Sequence, residues 1–182
     1  MTMQVTPGFG TAVATELKGN AHHQRVIGHD DALRAQVIPA VSAVTYIAGK
    51  CLGGEMIFSS AARLSGDVSW LESMQILLRG LTTAGDIDAV FYSEALAATP
   101  VNGETLVLTD AEAQSLLGIV HISTADFRAV GTHKLAHVSP DAPLLLQAGA
   151  GTSTVRCVLV ARGGVKPAAT DSVVASITVR RS

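Results

Sequence analysis

The chain has 182 residues, of which 48% are hydrophobic and 15% are charged, and its formal net charge is -2. Globular proteins average about 25% charged residues, so the low value excludes a charged, disordered tail protein. A nearly neutral chain lacks the basic surface typical of nucleic-acid binding, and no nucleic-acid partner is expected. The length suits one ordinary domain with a full core.

The sequence also gives no sign of a membrane or export segment. Its first residues lack a basic stretch followed by an apolar run, which a secretory signal requires. The apolar stretches are all shorter than the roughly 20 residues of a membrane-spanning helix. We therefore expect that the protein has no membrane partner. We also expect that it folds and assembles in the cytoplasm.

Residues 1–20 are predicted to form an extended N-terminal arm, separate from a domain spanning residues 21–182. Large apolar residues recur at every fourth position of the arm, which could also indicate a helical stripe. Pro7, Gly8 and Gly10 make a helix there unfavourable, since an interior proline costs about 3 kcal/mol and each glycine about 1 kcal/mol. The arm is therefore predicted to contact another protein through Val5, Phe9, Val13 and Leu17.

From residue 21 onward, short apolar runs are separated by turn residues, a pattern typical of an all-β sandwich. The clearest strand is residues 69–80, where apolar and polar residues alternate. The face of this strand expected in the core carries Trp70, Met74, Ile76 and Leu78. Other strands are predicted at residues 23–27, 33–40, 51–59, 86–93, 119–122, 124–130, 142–147, 152–161 and 172–181.

One short helix is predicted near residues 110–117. Thr109 or Asp110 is a suitable N-cap, and acidic residues in the first turn, such as Glu112, interact favourably with the helix dipole. Ala113, Leu116 and Leu117 would give the helix an apolar face, and Gly118 is placed to end it.

The six histidines do not form a metal-binding pattern, and no metal or other cofactor is expected. His133 and His137 have the spacing of two ligands on one helix, but Gly131 and Pro140 around them favour a loop. The remaining cluster near the arm is also interpreted as solvated: His22, His23 and His29.

Neither the carboxylates nor the cysteines indicate a catalytic site. Asp86 and Asp88 lie two residues apart on one predicted strand, which fits a polar strand edge better than a catalytic pair. Cys51 and Cys157 have apolar neighbours and are predicted to be buried thiols that stay reduced in a cytoplasmic setting. No catalytic residue is therefore assigned, and the protein is not expected to be an enzyme.

Five segments along the chain carry a resemblance when they are taken in order: ATELKGNAHHQRV, AGKCLGGEMIFSSAARLSG, WLESMQILLRGLTTAGDIDAVFYSE, LTDAEAQSLLGIVHISTADF and VRCVLVARGGVKPAATDSVVASITV. They resemble a family of small tailed-bacteriophage virion proteins, which are encoded near the head genes and described as decoration, cement or unassigned structural proteins. The similarity extends over most of residues 14–180, and the last segment resembles the closing hairpin of the family.

This resemblance implies a single sandwich of jelly-roll type and a structural role. The protein would bind the outer capsid shell of a phage head in many copies and stabilise it, as a decoration or cement protein. Its partners would be the major capsid protein and copies of itself, and its location would be the capsid surface of the virion. The arm would order on the shell, where buried area offsets its loss of entropy.

Three alternatives remain open from the sequence. A neck or tail component would form rings instead of covering the shell. A sugar-binding sandwich would need an exposed aromatic platform. The chain has only one Trp and two Tyr, which counts against this alternative. A cupin-like metal enzyme would need histidines and a glutamate converging inside the barrel, and His121 is the only histidine well placed in a predicted strand.

Overall fold

The computed structural model describes residues 13–18, 21–26 and 31–181. The chain divides into two compact units, Met1–Asp31 and Ala32–Ser182. The first unit contains an antiparallel hairpin of β1 (Val13–Lys18) and β2 (Ala21–Val26). The predicted division into an arm (1–20) and a sandwich domain (21–182) stays a prediction, because residues 1–12, 19–20 and 27–30 lie outside those described.

The rest of the chain is built almost entirely from strands, which confirms the all-β prediction. The strands are β3 (Asp31–Val37), β4 (Met56–Phe58), β5 (Val68–Leu78), β6 (Ile87–Tyr92), β7 (Leu116–Ile122), β8 (Arg128–Val130), β9 (His133–Val138), β10 (Leu144–Gln147), β11 (Val155–Ala161) and β12 (Val173–Arg181). Between β6 and β7 lies the helix α1 (Asp110–Ala113), and a single 3-10 turn, Thr124–Asp126, follows β7.

The strands of the second unit form two antiparallel sheets. The larger sheet has the order β3-β12-β5-β9-β8, and the smaller has the order β4-β11-β6-β7. One edge of β5 is shared, since β9 pairs with its Met74–Leu78 half and β10 with its Val68–Leu71 half. β11 and β12 lie in different sheets, so the closing hairpin expected from the resemblance is wrong: their connection crosses from one sheet to the other.

The main core lies between the two sheets, and a second apolar cluster covers the outer face of the smaller sheet. Ile87, Ala89 and Phe91 of β6 face the main core. Val90 and Tyr92, on the opposite face of β6, pack in the second cluster beneath the loops that precede β4 and β7. Every residue of β6 is therefore buried, whereas strands of antiparallel sheets commonly have one face in contact with solvent.

A β-bulge in β5 changes which of its residues face the core. Opposite β12, Ser73 pairs with Thr178 but Leu71 pairs with Val179, so Glu72 is an extra residue. An extra residue reverses the alternation of faces along a strand. Met74, Ile76 and Leu78 are buried as predicted. The prediction for Trp70 is wrong, because the bulge turns Leu71 inward and leaves Trp70 42% exposed on the outer face.

The helix is shorter than predicted. Of the two candidate caps, Thr109 is the N-cap: its side chain accepts from the Glu112 backbone N–H, and the Glu112 carboxylate accepts from the Thr109 backbone N–H at 2.7 Å. The helix ends at Ala113, and Leu116 and Leu117 belong to β7. Pairing of β7 with the buried strand β6 therefore prevails over continuation of an exposed, single-turn helix.

Gly53 and Gly103 offer a matched test of backbone conformation against packing. Both have φ of +80°, but a Cβ on Gly53 would lie 2.5 Å from the Pro39 Cβ, whereas a Cβ on Gly103 would have nothing within 4 Å. We expect Gly103→Ala to lower the free energy of unfolding by about 1 kcal/mol through backbone strain alone. Gly53→Ala should cost a further ~1–3 kcal/mol because of the overlap. Equal losses for the two variants in urea denaturation would contradict this account.

Candidate binding surface

A groove lies on the outer face of the larger sheet, where the bulge exposes Trp70. The neighbours of Trp70 across the sheet are Leu145 of β10 and Arg180 of β12. The groove has a volume of about 540 Å³, and it is called here the Trp70 groove. Its outward-facing lining consists of Trp70, Glu72, Pro140, Asp141, Pro143 and Arg180.

The polar groups of the Trp70 groove carry both signs of charge. Arg180 Nη2 lies 2.7 Å from Glu72 Oε1. Among the described residues, no hydrogen bond or ion pair engages the Asp141 carboxylate. The groove therefore presents carboxylate acceptors and guanidinium donors around one apolar, aromatic wall, without a large net charge.

A second groove of about 450 Å³ lies beside the Trp70 groove. The connection between β9 and β10, residues 139–143, contributes to both grooves. The second groove is also lined by Ile119 and His121 of the edge strand β7. The two grooves thus extend over neighbouring surfaces on either side of one proline-containing loop.

His121 belongs to a cluster of charged side chains beside the second groove. Its Nδ1 lies 2.7 Å from Asp88 Oδ1, on the strand directly paired with it, and Arg162 Nε donates to Asp88 Oδ2 at 2.6 Å. The Asp88 carboxyl is largely buried, whereas the His121 ring is more than half exposed. Asp88 is therefore held by two partners instead of forming a bare strand edge, and His121 lies outside the apolar interior that a cupin-like site would require.

Asp86 has different partners from Asp88, although the two are close in sequence. Its Oδ1 accepts hydrogen bonds from Thr124 Oγ1 at 2.7 Å and from the Thr124 backbone N–H at 2.6 Å. These bonds favour the charged carboxylate, the side-chain bond most strongly, and hold the pKa of Asp86 below its ordinary value of 3.8.

The Asp86 contacts predict a pH dependence of stability. Because the pKa is lower in the folded state, the stabilisation is present above pH 3.8 and is lost as the pH falls through the folded-state pKa. We expect Asp86→Asn to reduce the fall in melting temperature below that pH, measured by circular dichroism from neutral to strongly acidic buffer. Thr124→Val, which removes the hydroxyl donor, should act in the same direction. If the melting temperature falls equally at acidic pH in wild type and in Asp86→Asn, the Asp86 contacts are not the cause of the pH dependence.

A mostly buried ion pair links Glu55, the residue before β4, to β11. Arg156 Nη1 lies 2.6 Å from Glu55 Oε2, and the Tyr92 hydroxyl donates to Glu55 Oε1 at 3.1 Å. The Glu55 and Arg156 side chains are 13% and 20% exposed. Burial, and next the Glu55 charge, raise the pKa of Tyr92 well above its usual range, so the phenol stays a hydrogen-bond donor. All the partners of this cluster are internal, which indicates a structural function.

The cysteines lie where the sequence predicts. Cys51 and Cys157 are both buried and both free. Burial raises the pKa of each thiol, which disfavours the reactive thiolate. Their reduced state in an assembled particle stays a prediction.

The prediction of a loop around His133 and His137 is wrong, because both residues lie in β9. This strand pairs with β5 and buries Ala136 in the core, which outweighs the local signals from glycine and proline. His133 Nδ1 accepts from the Gly80 backbone N–H at 2.9 Å.

In the described part of the chain, no group of three or more potential ligands could hold a metal ion. His22 and His23 lie in β2, and His29 is outside the described residues.

The four arm residues predicted to contact another protein are only partly within the described structure. Val13 and Leu17 lie in β1, where they are paired with Val26 and His22. Val5 and Phe9 fall outside the described residues. The interaction assigned to this set stays a prediction.

The loops covering the smaller sheet place apolar side chains in contact with solvent. Lys50 and Thr105 form an antiparallel bridge, which brings the two covering loops side by side. The Tyr46 hydroxyl donates to Asn102 Oδ1 at 2.6 Å and adds a second link between them. Ile47 and Val107 project outward from these loops and are exposed. We call this surface the loop layer.

Comparison with known proteins leaves the chain without an assigned family. No protein-family model matches it, and no curated protein matches it significantly. Within residues 13–18, 21–26 and 31–181, no helix has the length and apolar character needed to cross a membrane.

Sequence reasoning missed the residues that shape these sites. Glu72 and Asp141 gave no local signal, because the groove depends on a bulge and on a loop about seventy residues away. The Glu55–Arg156 pair joins residues 101 positions apart. Paired charges in apolar strands are a weak signal that could have drawn attention to Glu55 and Arg156, but not to their pairing.

Proposed function

We propose that this chain is a structural protein of a tailed-phage virion that binds and stabilises the outer capsid shell. The observation that carries the proposal is the division of the chain into two compact units, the first of which, Met1–Asp31, contains the β1–β2 hairpin among its described residues. A two-stranded hairpin is marginally stable alone in water. A shell or a neighbouring copy would supply the surface that stabilises it, and the apolar residues of the predicted arm would make the contact.

We also propose that the sandwich is of jelly-roll type. Strand orders β3-β12-β5-β9 and β4-β11-β6-β7 support this, because successive strands repeatedly change sheet and the first strand lies beside the last. Jelly rolls occur in viral capsid proteins, lectins and cupins, so the fold alone does not select a function. The choice of a virion role rests on the N-terminal unit and on the resemblance of the five segments.

The surface composition supports partners that are themselves proteins. The chain has few charged residues, and interfaces between subunits are depleted in Lys and Glu. Exposed Ile47 and Val107 of the loop layer provide apolar contacts for such an interface. We propose the major capsid protein and further copies of the chain as partners.

The copy number in purified virions tests the proposal. Quantitative mass spectrometry against the major capsid protein should find on the order of hundreds of copies for a shell protein bound on a symmetric lattice. About six to twelve copies would indicate a neck or tail ring instead. Absence from the particle would overturn the virion assignment.

Deletion of residues 2–18 tests the function of the arm. The melting temperature of the isolated protein should change little, because the sandwich has its own core. Binding to undecorated heads should weaken by about tenfold or more, since each of four buried apolar side chains contributes roughly 1.5–3 kcal/mol before ordering costs. Co-sedimentation measures the difference, and the paired substitution Val5→Ala/Phe9→Ala serves as a milder variant. Equal occupancy by all forms would exclude the anchoring role.

A further inference from the structure

We infer that the Trp70 groove is a carbohydrate-binding site that takes an uncharged, pyranose-containing glycan. The inference is independent of the proposed virion function, since it concerns the outer face of the larger sheet alone. It depends on three features: an exposed indole, an arrangement of polar groups around it, and a groove of suitable size.

The exposed indole results from a specific backbone feature. The extra residue Glu72 turns Trp70 away from the core, where the regular alternation of β5 would have placed it. An indole at the surface of a concave site supplies a broad apolar contact for a ligand. Trp70 is the single tryptophan of the chain.

The polar groups around Trp70 suit hydroxyl groups. Glu72 and Asp141 provide carboxylate acceptors, and Arg180 provides donors. A sugar hydroxyl both donates and accepts, so one ring can satisfy both kinds of group. The C–H face of a pyranose carries a slight positive charge and matches the negative face of the indole. The lining carries two carboxylates, Glu72 and Asp141, and one guanidinium, Arg180, so an uncharged ligand fits better than an anion or a strongly charged cation.

The volume of the groove, and the free-energy cost of removing water from its polar groups, favour a glycan over a protein surface as the ligand. A volume of about 540 Å³ is within the range of small-molecule sites. An apolar protein segment over Trp70 would cover Asp141 without offering it a hydrogen bond, and burial of an unpaired carboxylate is costly. A hydroxylated ring removes that cost.

Tryptophan fluorescence reports directly on this groove, because no other tryptophan contributes. The full-length protein is titrated with maltohexaose, cellohexaose and N-acetylchitohexaose, and with decaproline as a peptide probe. We expect at least one glycan to shift the emission to shorter wavelength, to protect it from acrylamide quenching, and to bind with a Kd of about 0.01–1 mM. Emission that no glycan changes up to about 10 mM, or that only decaproline changes, would overturn the inference.

Variants assign the binding to the groove, with calorimetry as the readout. Trp70→Ala and Asp141→Asn should each weaken glycan binding by about tenfold or more, because one removes the apolar contact and the other an acceptor. The control is Leu81→Ala, since Leu81 is 89% exposed and follows the opposite end of β5. If Asp141→Asn and a folded Trp70→Ala protein both bind the glycan as tightly as wild type, the Trp70 groove is not the binding site. Glycan binding without virion incorporation would contradict only the proposed function, and the reverse result would contradict only this inference.

Discussion

Met74→Asp is expected to remove about 4 kcal/mol or more of the free energy of unfolding, a large part of the total for a domain of this size. Met74 has no exposed surface and lies in β5 between Ile177 of β12 and Val138 of β9. A carboxylate there would be buried among apolar side chains without a partner. Thermal and urea denaturation monitored by circular dichroism measure the loss.

Two further variants of β5 test whether the loss of stability is caused by the buried charge or by any substitution in this strand. Met74→Leu conserves most of the volume and should cost less than about 1.5 kcal/mol. Gln75→Glu changes the opposite, partly exposed face of β5 and keeps an acceptor for Arg34, so its effect should be small. A soluble Met74→Asp protein with the wild-type melting temperature would show that this face of β5 is not in the core.

Glu55→Ala is expected to have the second largest effect, about 3–5 kcal/mol. The substitution leaves the mostly buried Arg156 guanidinium without its carboxylate and also removes the acceptor of the Tyr92 hydroxyl. The penalty arises from the unpaired groups that remain, more than from the lost attraction itself. Urea denaturation at neutral pH gives the measurement.

An exposed pair in the same protein provides the control. Glu72 and Arg180 are separated by 2.7 Å, as close as the buried pair, but their side chains are 33% and 52% exposed. Glu72→Ala should therefore cost less than about 1 kcal/mol. The double variant Glu55→Met/Arg156→Met should recover most of the stability lost in Glu55→Ala, because neither charge remains unpaired. If Glu55→Ala costs no more than Glu72→Ala, burial is not the reason for the effect.

Local sequence pattern predicted the fold class and most strands, but it failed where pairing between distant segments decides the outcome. The alternation in β5 correctly placed Met74, Ile76 and Leu78, and it failed at Trp70 because a bulge is defined only by the opposite strand. In β6, alternation of side-chain type did not predict burial of both faces, since the second covering comes from loops elsewhere in the chain.

The candidate site was less predictable than the fold for the same physical reason. Glycine and proline near β9 correctly indicate turns, yet their signal is local and weaker than the pairing of β9 with β5. The small number of aromatic residues argues against a sugar platform, and the inference of a glycan site depends instead on the position of one residue, Trp70, in the groove. Composition describes the average surface, and a binding groove depends on a few particular side chains.

The ends of the two sheets limit how copies of this protein can join. β4 and β8, at one end of the smaller and of the larger sheet, are only three residues long. β7, at the other end of the smaller sheet, is irregular opposite Phe91 and Tyr92. Short or irregular edges are poor templates for continuing a sheet from one molecule into the next. Even at the high local concentration of a dense array, these three edges should therefore resist fibril-like stacking.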